Sequence, residues 1–338
     1  MRKEADLSQW KELYETATRI KEMKPWEKFW DMDLIAVGAD MPENTTFFSI
    51  LGRGNECYGV AVYEGYEAFN SFLMLTMQER LNLSAEYAMF NQRNLTCYWG
   101  NREELTEKQR KIIKELGYRY RGKNQWLYFL SFEPGYYPYQ LDQDEVIRMT
   151  EHFQNLERAL KAYEERNIQV NFQDANMFYL EFNDKKEVKT AEERPLPFSS
   201  FEFGSLEIMD EELLDDLGRA PQSNIVLEAD ICMLGSGVHD KKYDRPANPP
   251  MCLVGEASTG LILKYEMLEP EEDAVVSLAE EIIGFILAHG APKEIRVSNV
   301  IVEAGLEHIC KTCGMKLRRL KRLAGLDEFR ESMKRFGM

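Results

Sequence analysis

The order of elements between residues 225 and 338 constrains this chain more than any other feature. NIVLEADICMLG and MCLVGEASTGLILKYEML read as strands, runs of Val, Ile and Leu bounded by turn residues. PEEDAVVSLAEEIIGFILAHG reads as a long helix, opened by Pro270 and three acids and closed by His289 and Gly290. The strand EIRV, a helix VIVEAGLEHICKT ended by Gly314, a basic strand-like run MKLRRLKRL and a last helix LDEFRESMKRF complete the series. Helices placed between strands call for a sheet with parallel pairs, so the fold class is α/β.

At 338 residues and 39.5 kDa the chain is long enough for two cores. Its punctuation places a mixed α+β domain at residues 1–166 and an α/β domain at 206–338. Residues 167–205 read as a connecting segment with a hairpin around FYLEF and EVKT. A composition 44% hydrophobic and 12% aromatic excludes a disordered chain. The net charge of −16 opposes a nucleic-acid partner at long range. No run has the length or apolarity of a membrane span: the most apolar helix, 274–288, is interrupted by Glu280 and Glu281. With six scattered cysteines and no disulfide pattern, the expected setting is the cytoplasm.

In the first domain, residues 8–23 form an amphipathic pattern with Trp10, Leu13, Tyr14, Ala17 and Ile20 on one face. DLIAVGA, TTFFSILG and ECYGVAVYEG follow as an antiparallel meander, then LTCYWG, a helix 106–116, and the strands YRYRG and QWLYFLSF. Asp142 and Glu145 make a capping box for a helix that carries Val146, Met149, Phe153, Leu156, Leu160 and Tyr163 in three-and-four spacing. That stripe suits packing along a domain surface or, alternatively, the seam of a homodimer. The order strand, helix, Gly, strand occurs in both halves, which raises duplication as an alternative to coincidence.

The runs PWEKFWDMDLIAVG, GVAVYEG and YRYRGKNQWLYFLSFEPGYYPYQLDQDE resemble the N-terminal half of a bacterial two-domain family made of two domains of unknown function, and the second half resembles its companion domain. PGYYPYQLD is the most specific part. The resemblance implies an architecture and a bacterial cytoplasmic setting, and no activity.

The second half also resembles a ribonuclease H-like (RNase H-like) fold of the kind found in transposases and retroviral-type integrases. ADICMLG matches their first strand with its Asp, LVGEASTGLILKYEM their second, EIRVSN the strand that ends in an Asp, and LDEF the helix with the last acid. Asp230 matches the first acidic position. Ser298 and Asn299 stand where the second Asp is expected, and Asp327 or Glu328 matches the third.

Two-metal phosphoryl transfer needs several carboxylates converging on its ions, so a hydroxyl or amide at 298–299 argues for a degenerate site. Asp230, Glu256, Asp327 and Glu328 are the catalytic candidates, with Mg²⁺ or Mn²⁺ as cofactor only in that case. The competing reading makes Asp327 and Glu328 an acidic helix opening and Ser298 or Asn299 a helix cap. Cys310 and Cys313 form a CxxC that could join Cys232 or Cys252 on zinc, or fill a helix core stripe. Tyr136, Tyr137, Tyr139 and Asp142 are candidates for a binding loop, against simple aromatic packing. Lys316, Arg318, Arg319, Lys321 and Arg322 suit a polyanion or the charged face of an edge strand.

The function these features imply is a non-catalytic binding or interaction protein with a degenerate RNase H-like domain. The alternatives are a divergent metal-dependent nuclease or phosphoryl transferase centred on Asp230, and a structural homodimer built on the 146–163 helix.

Overall fold

The computed structural model describes residues 2–38, 42–183, 185–233 and 237–335. In chain order its helices and strands are α1 (Leu7–Met23), β1 (Ile35–Val37), β2 (Thr46–Leu51), β3 (Gly59–Glu64), α2 (Gly65–Thr76), α3 (Gln78–Leu81), α4 (Ala85–Phe90), β4 (Asn94–Gly100), α5 (Glu107–Glu115), β5 (Trp126–Phe132) and α6 (Gln143–Glu165). There follow β6 (Asn176–Phe182), β7 (Val188–Pro195), α7 (Glu211–Arg219), β8 (Val226–Met233), β9 (Pro250–Glu256), β10 (Ile262–Met267), α8 (Ala274–His289), β11 (Glu294–Val297), α9 (Val300–Thr312), β12 (Lys316–Arg319) and α10 (Ala324–Arg335). They fall into two compact units. One holds Met1–Leu73, Gln92–Glu133 and Pro138–Ser200; the other holds Met74–Asn91, Pro134–Tyr137 and Phe201–Met338. Among the described residues no helix is long and apolar enough to cross a membrane.

The first unit is built on a seven-stranded sheet of order β5-β4-β3-β2-β1-β6-β7. β1 to β5 form the antiparallel meander, and β1 pairs with β6 in parallel. Alternation along β2 sends Phe48 and Ile50 to the core beneath α1 and α6, and Phe47 to the other face, where its ring stacks 4.4 Å from Phe69 of α2. Asp142 and Glu145 form the expected capping box at the start of α6. The α6 stripe Val146, Met149, Phe153, Leu156 and Leu160 is buried in this core, so the 146–163 helix is spent inside the chain and offers no dimer seam.

Three further expectations change here. The 167–205 segment is more than a connection: its hairpin, β6 and β7, supplies two strands of the sheet. YRYRG forms no strand and joins no ladder among the described residues; Tyr118 and Tyr120 stack on each other at 5.7 Å and Tyr118 stacks on Tyr14 at 5.6 Å. Duplication is not carried by the topology. α5 joins β4 to an antiparallel neighbour, whereas α9 joins β11 to a parallel one.

The second unit has a five-stranded sheet of order β10-β9-β8-β11-β12. β8, β9 and β10 are antiparallel in sequence; the chain then returns through α8 to lay β11 beside β8 in parallel, and through α9 to add β12 in parallel. This mixed order, with the first strand central, is the RNase H-like arrangement expected for the second half. The run MCLVGEASTGLILKYEML is a hairpin rather than one strand: Glu256 accepts the N–H groups of Ser258 at 3.1 Å and Thr259 at 2.8 Å, and Gly260 turns with φ +71°. Leu227, Ala229 and Ile231 of β8 face α8 and α9, and alternation directs Glu228, Asp230 and Cys232 to the face covered by α10.

Candidate functional site

Asp230 sits near the carboxyl end of the central strand β8 and is 2% exposed. β11 runs parallel beside it, in register Arg296 to Glu228, so the residues just past β11, Ser298 and Asn299, arrive next to Asp230. α10 crosses the same face and brings Arg330. Four donors converge on the one carboxylate. Oδ1 accepts from the backbone N–H of Ile231 at 2.9 Å and from Asn299 Nδ2 at 3.1 Å; Oδ2 accepts from Ser298 Oγ at 2.6 Å and from Arg330 Nη2 at 2.5 Å. A carboxylate offers about four lone-pair sites, and these donors fill them.

Each donor is fixed by its own element. Asn299 caps α9, its Oδ1 accepting from Ile301 at 3.1 Å and Val302 at 3.0 Å, which leaves the amide nitrogen free to reach Asp230. Arg330 is held by Asp230 and, through Nη1, by Asp327 at 3.3 Å. Burial alone would lower the Arg330 pKa; Asp230 outweighs it and holds the guanidinium firmly charged.

A cavity of about 320 Å³ opens beside this cluster. Asp230, Ser298, Asn299, Lys321, Asp327 and Arg330 line its polar side, and Met233, Met251 and Met333 an apolar side. Asn82, Ser84 and Tyr87 close it, from a stretch that precedes the first unit's β4 in sequence and yet belongs to the second unit. Asn82 takes a left-handed conformation, φ +55°, and its side-chain amide donates to the carbonyl of Ser298. Leu83 and Tyr87 pack with Ile301 and Val275, which is the burial that recruits the stretch.

The other sequence candidates lie elsewhere or are already occupied. Glu256 is taken up by its turn: hydroxyls and N–H groups of Thr259 and Ser258 hold its carboxyl down to about 2. Asp327 accepts from the Leu323 N–H at 3.2 Å and pairs with Arg330, the helix-opening role. Glu328 does not line the cavity.

Cys310 and Cys313 are buried with Val302, Leu306 and Ile309, and burial pushes the Cys310 thiol up to about 12. Among the described residues no three His, Cys, Asp or Glu side chains form a group able to hold a metal ion. Tyr136 and Tyr137 belong to the second unit, where Tyr136 meets Tyr243 at 6.1 Å and Tyr137 meets Phe90 at 4.8 Å. The preceding Gly135 has φ +77° and passes so near Pro270 that a Cβ would lie 2.3 Å from its carbonyl oxygen. Tyr139 and Asp142 belong to the first unit, Tyr139 in a backbone bridge with Ser131 and Asp142 in the α6 cap.

A two-metal centre asks for carboxylates converging on two ions. Around Asp230 the converging groups are a hydroxyl, an amide and a guanidinium, and the donor set does not fit such a centre.

By strand order the chain is an α/β protein whose second unit is RNase H-like. It belongs to the family of the domain of unknown function DUF7309, which matches residues 10–193; a second domain of unknown function, DUF6930, matches residues 213–334. No match was found among curated proteins. Among solved structures the chain is similar to the catalytic core domain of BIV integrase, at 14% identity over 32% of this chain and 66% of that one, with a TM-score of 0.23. It is also similar to a chain of the simian T-cell lymphotropic virus intasome in complex with PP2A regulatory subunit B56 gamma, at 11% identity over 34% of this chain and 41% of that one, with a TM-score of 0.24. At these TM-scores neither likeness bears on function.

Proposed function

We propose that the second unit is a binding module whose phosphoryl-transfer position has been closed by the chain's own side chains. The observation that carries this reading is the saturation of Asp230: Ser298, Asn299, Arg330 and the Ile231 amide use every acceptor site that a Mg²⁺ or Mn²⁺ ion would need. Arg330 supplies the positive charge at this carboxylate permanently, so the site keeps its electrostatic balance without an ion. The cavity beside it is then the recognition surface. Lys321 brings a second positive charge to a lining that also carries the acids Glu86 and Asp327, and the methionine side chains offer an adaptable apolar wall.

The experiment compares wild type with Asp230→Asn, both checked for folding by circular dichroism, on single- and double-stranded DNA and RNA in Mn²⁺. The reading predicts that both leave the substrates intact. Cleavage by the wild type that disappears in Asp230→Asn contradicts it and establishes the nuclease alternative.

A further inference from the structure

The two edges of the second sheet are built differently. β12 ends one side with Lys316 and Arg318 set against Glu294, at 3.8 and 3.7 Å, and Arg319 against Glu303 at 3.1 Å. Such a charged edge discourages pairing with another chain. β10 ends the other side with Leu263, Tyr265 and Met267 exposed to 40, 66 and 57%. Tyr265 and Met267, two apart in the regular part of the strand, share a face, on which Tyr265 lies 6.2 Å from Phe329 of α10; Leu263 falls in the register shift between Ile262 and Lys264. Lys264 and Glu266 take the opposite face, where Lys264 meets Glu281 of α8 at 2.9 Å.

The main chain of β10 is open at the same place. Leu268 N–H donates to the carbonyl of Pro250 at 3.0 Å, so the even-numbered residues are those bonded to β9. Alternation then turns the N–H and C=O of Tyr265 and Met267 away from the sheet. The register shift between Ile262 and Lys264 ends the regular strand on its N-terminal side.

We propose that β10 pairs with β10 of a second copy of this chain, antiparallel about a two-fold axis at Tyr265, so that two five-stranded sheets become one. The run Lys264, Tyr265, Glu266, in the regular part of the strand, is self-complementary under that operation. Tyr265 meets its own copy as a hydrogen-bonded pair. Lys264 falls directly across from Glu266, twice, in the closely spaced non-hydrogen-bonded positions.

Within one chain Glu266 is poorly served. Its carboxyl is raised chiefly by the hydrogen bond with Glu281, with burial and the charges of Glu281 and Glu272 adding to that and Lys264 opposing it. A lysine of the second copy opposite Glu266 relieves this crowding, while on the other face the two Tyr265 side chains come together. The pairing goes beyond the reading of Asp230 and is independent of it.

The test is light scattering on the full chain with a pair of charge reversals. Wild type is expected at twice the 39.5 kDa of one chain in the micromolar range. Lys264→Glu and Glu266→Lys each place like charges across the axis, twice, and each is expected at the mass of one chain. An equimolar mixture of the two variants sets every acid against a lysine again and is expected to recover the dimer, which also shows that both are folded. Wild type at the mass of one chain overturns the proposal and leaves this edge to a different partner. A dimer that tolerates both reversals, or monomeric variants that fail to combine, overturns it as well.

Discussion

Glu228 Oε2 accepts the backbone N–H of Gly325 at 2.9 Å and lies 3.2 Å from that of Leu326, so a carboxylate on the central strand caps the helix that crosses it. The spacing explains what this achieves. Glu228 and Asp230 are two residues apart on a strand, about 6.6 Å. Leu326 and Arg330 are four apart on a helix, about 6 Å. Fixing the first pair of groups in contact therefore brings the second pair together, and Arg330 reaches Asp230.

Removing the cap is accordingly expected to do more than shorten a helix. Glu228→Ala leaves two N–H groups at the start of α10 without an acceptor and is expected to cost about 1–3 kcal/mol in urea unfolding. It is also expected to speed hydrogen exchange along α10. Glu228→Gln keeps an acceptor and should cost less.

Breaking the pair itself should be costly from either side. Asp230→Ala leaves the guanidinium with Asp327 alone at 3.3 Å, and Arg330→Ala leaves a carboxylate that is 2% exposed with neutral donors only. Each is expected to lower stability by about 3 kcal/mol, and the double variant by less than the sum, because the second change removes the buried charge whose partner the first took away. Urea midpoints of the four proteins give the cycle.

The hairpin turn carries a pH signature. The Glu256 carboxyl, ordinarily at 4.5, is held down to about 2 by hydrogen bonds from Thr259, then Ser258. A folded value below the unfolded one means that the contribution is complete above 4.5 and is lost as the pH falls toward 2. The stability difference between wild type and Glu256→Gln is therefore expected to be flat above 4.5 and to shrink below it, as read by thermal unfolding across that range.

The cysteines separate by burial. Cys57 is exposed, Cys232 is half-buried, and Cys97, Cys252, Cys310 and Cys313 are buried. Burial pushes the Cys252 and Cys310 thiols up to about 12. A thiol reagent is expected to modify Cys57 promptly in the native protein and the four buried residues only after denaturation. Prompt modification of Cys310 or Cys313 would contradict their place in the core.

Local pattern made much of this legible in the sequence. The alternation in β8, the Asp142 box and the Asn299 cap are written in neighbouring residues, and the RNase H-like order followed from them. Arg330 was not legible as the partner of Asp230, because 100 residues separate them and its helix reads as an ordinary charged surface. The role of Glu228 was hidden in the same way: its place two residues from Asp230 marks a shared face of the strand but not what covers it, and only the arrival of α10 gives it two donors. Sequence adjacency places residues 74–91 with the first domain, yet Leu83 and Tyr87 find their apolar contacts in the second unit. Such long-range pairings leave no trace in a short window.

The most direct test of the account is a Mn²⁺ titration of the full chain followed by electron paramagnetic resonance, with Asp230→Asn and Ser298→Ala beside the wild type. Saturation of Asp230 by its own chain predicts that all three proteins give the same titration, with no bound ion that depends on Asp230. A Mn²⁺ ion held by the wild type and lost in Asp230→Asn would contradict it, and would mean that Arg330 yields its place to a metal.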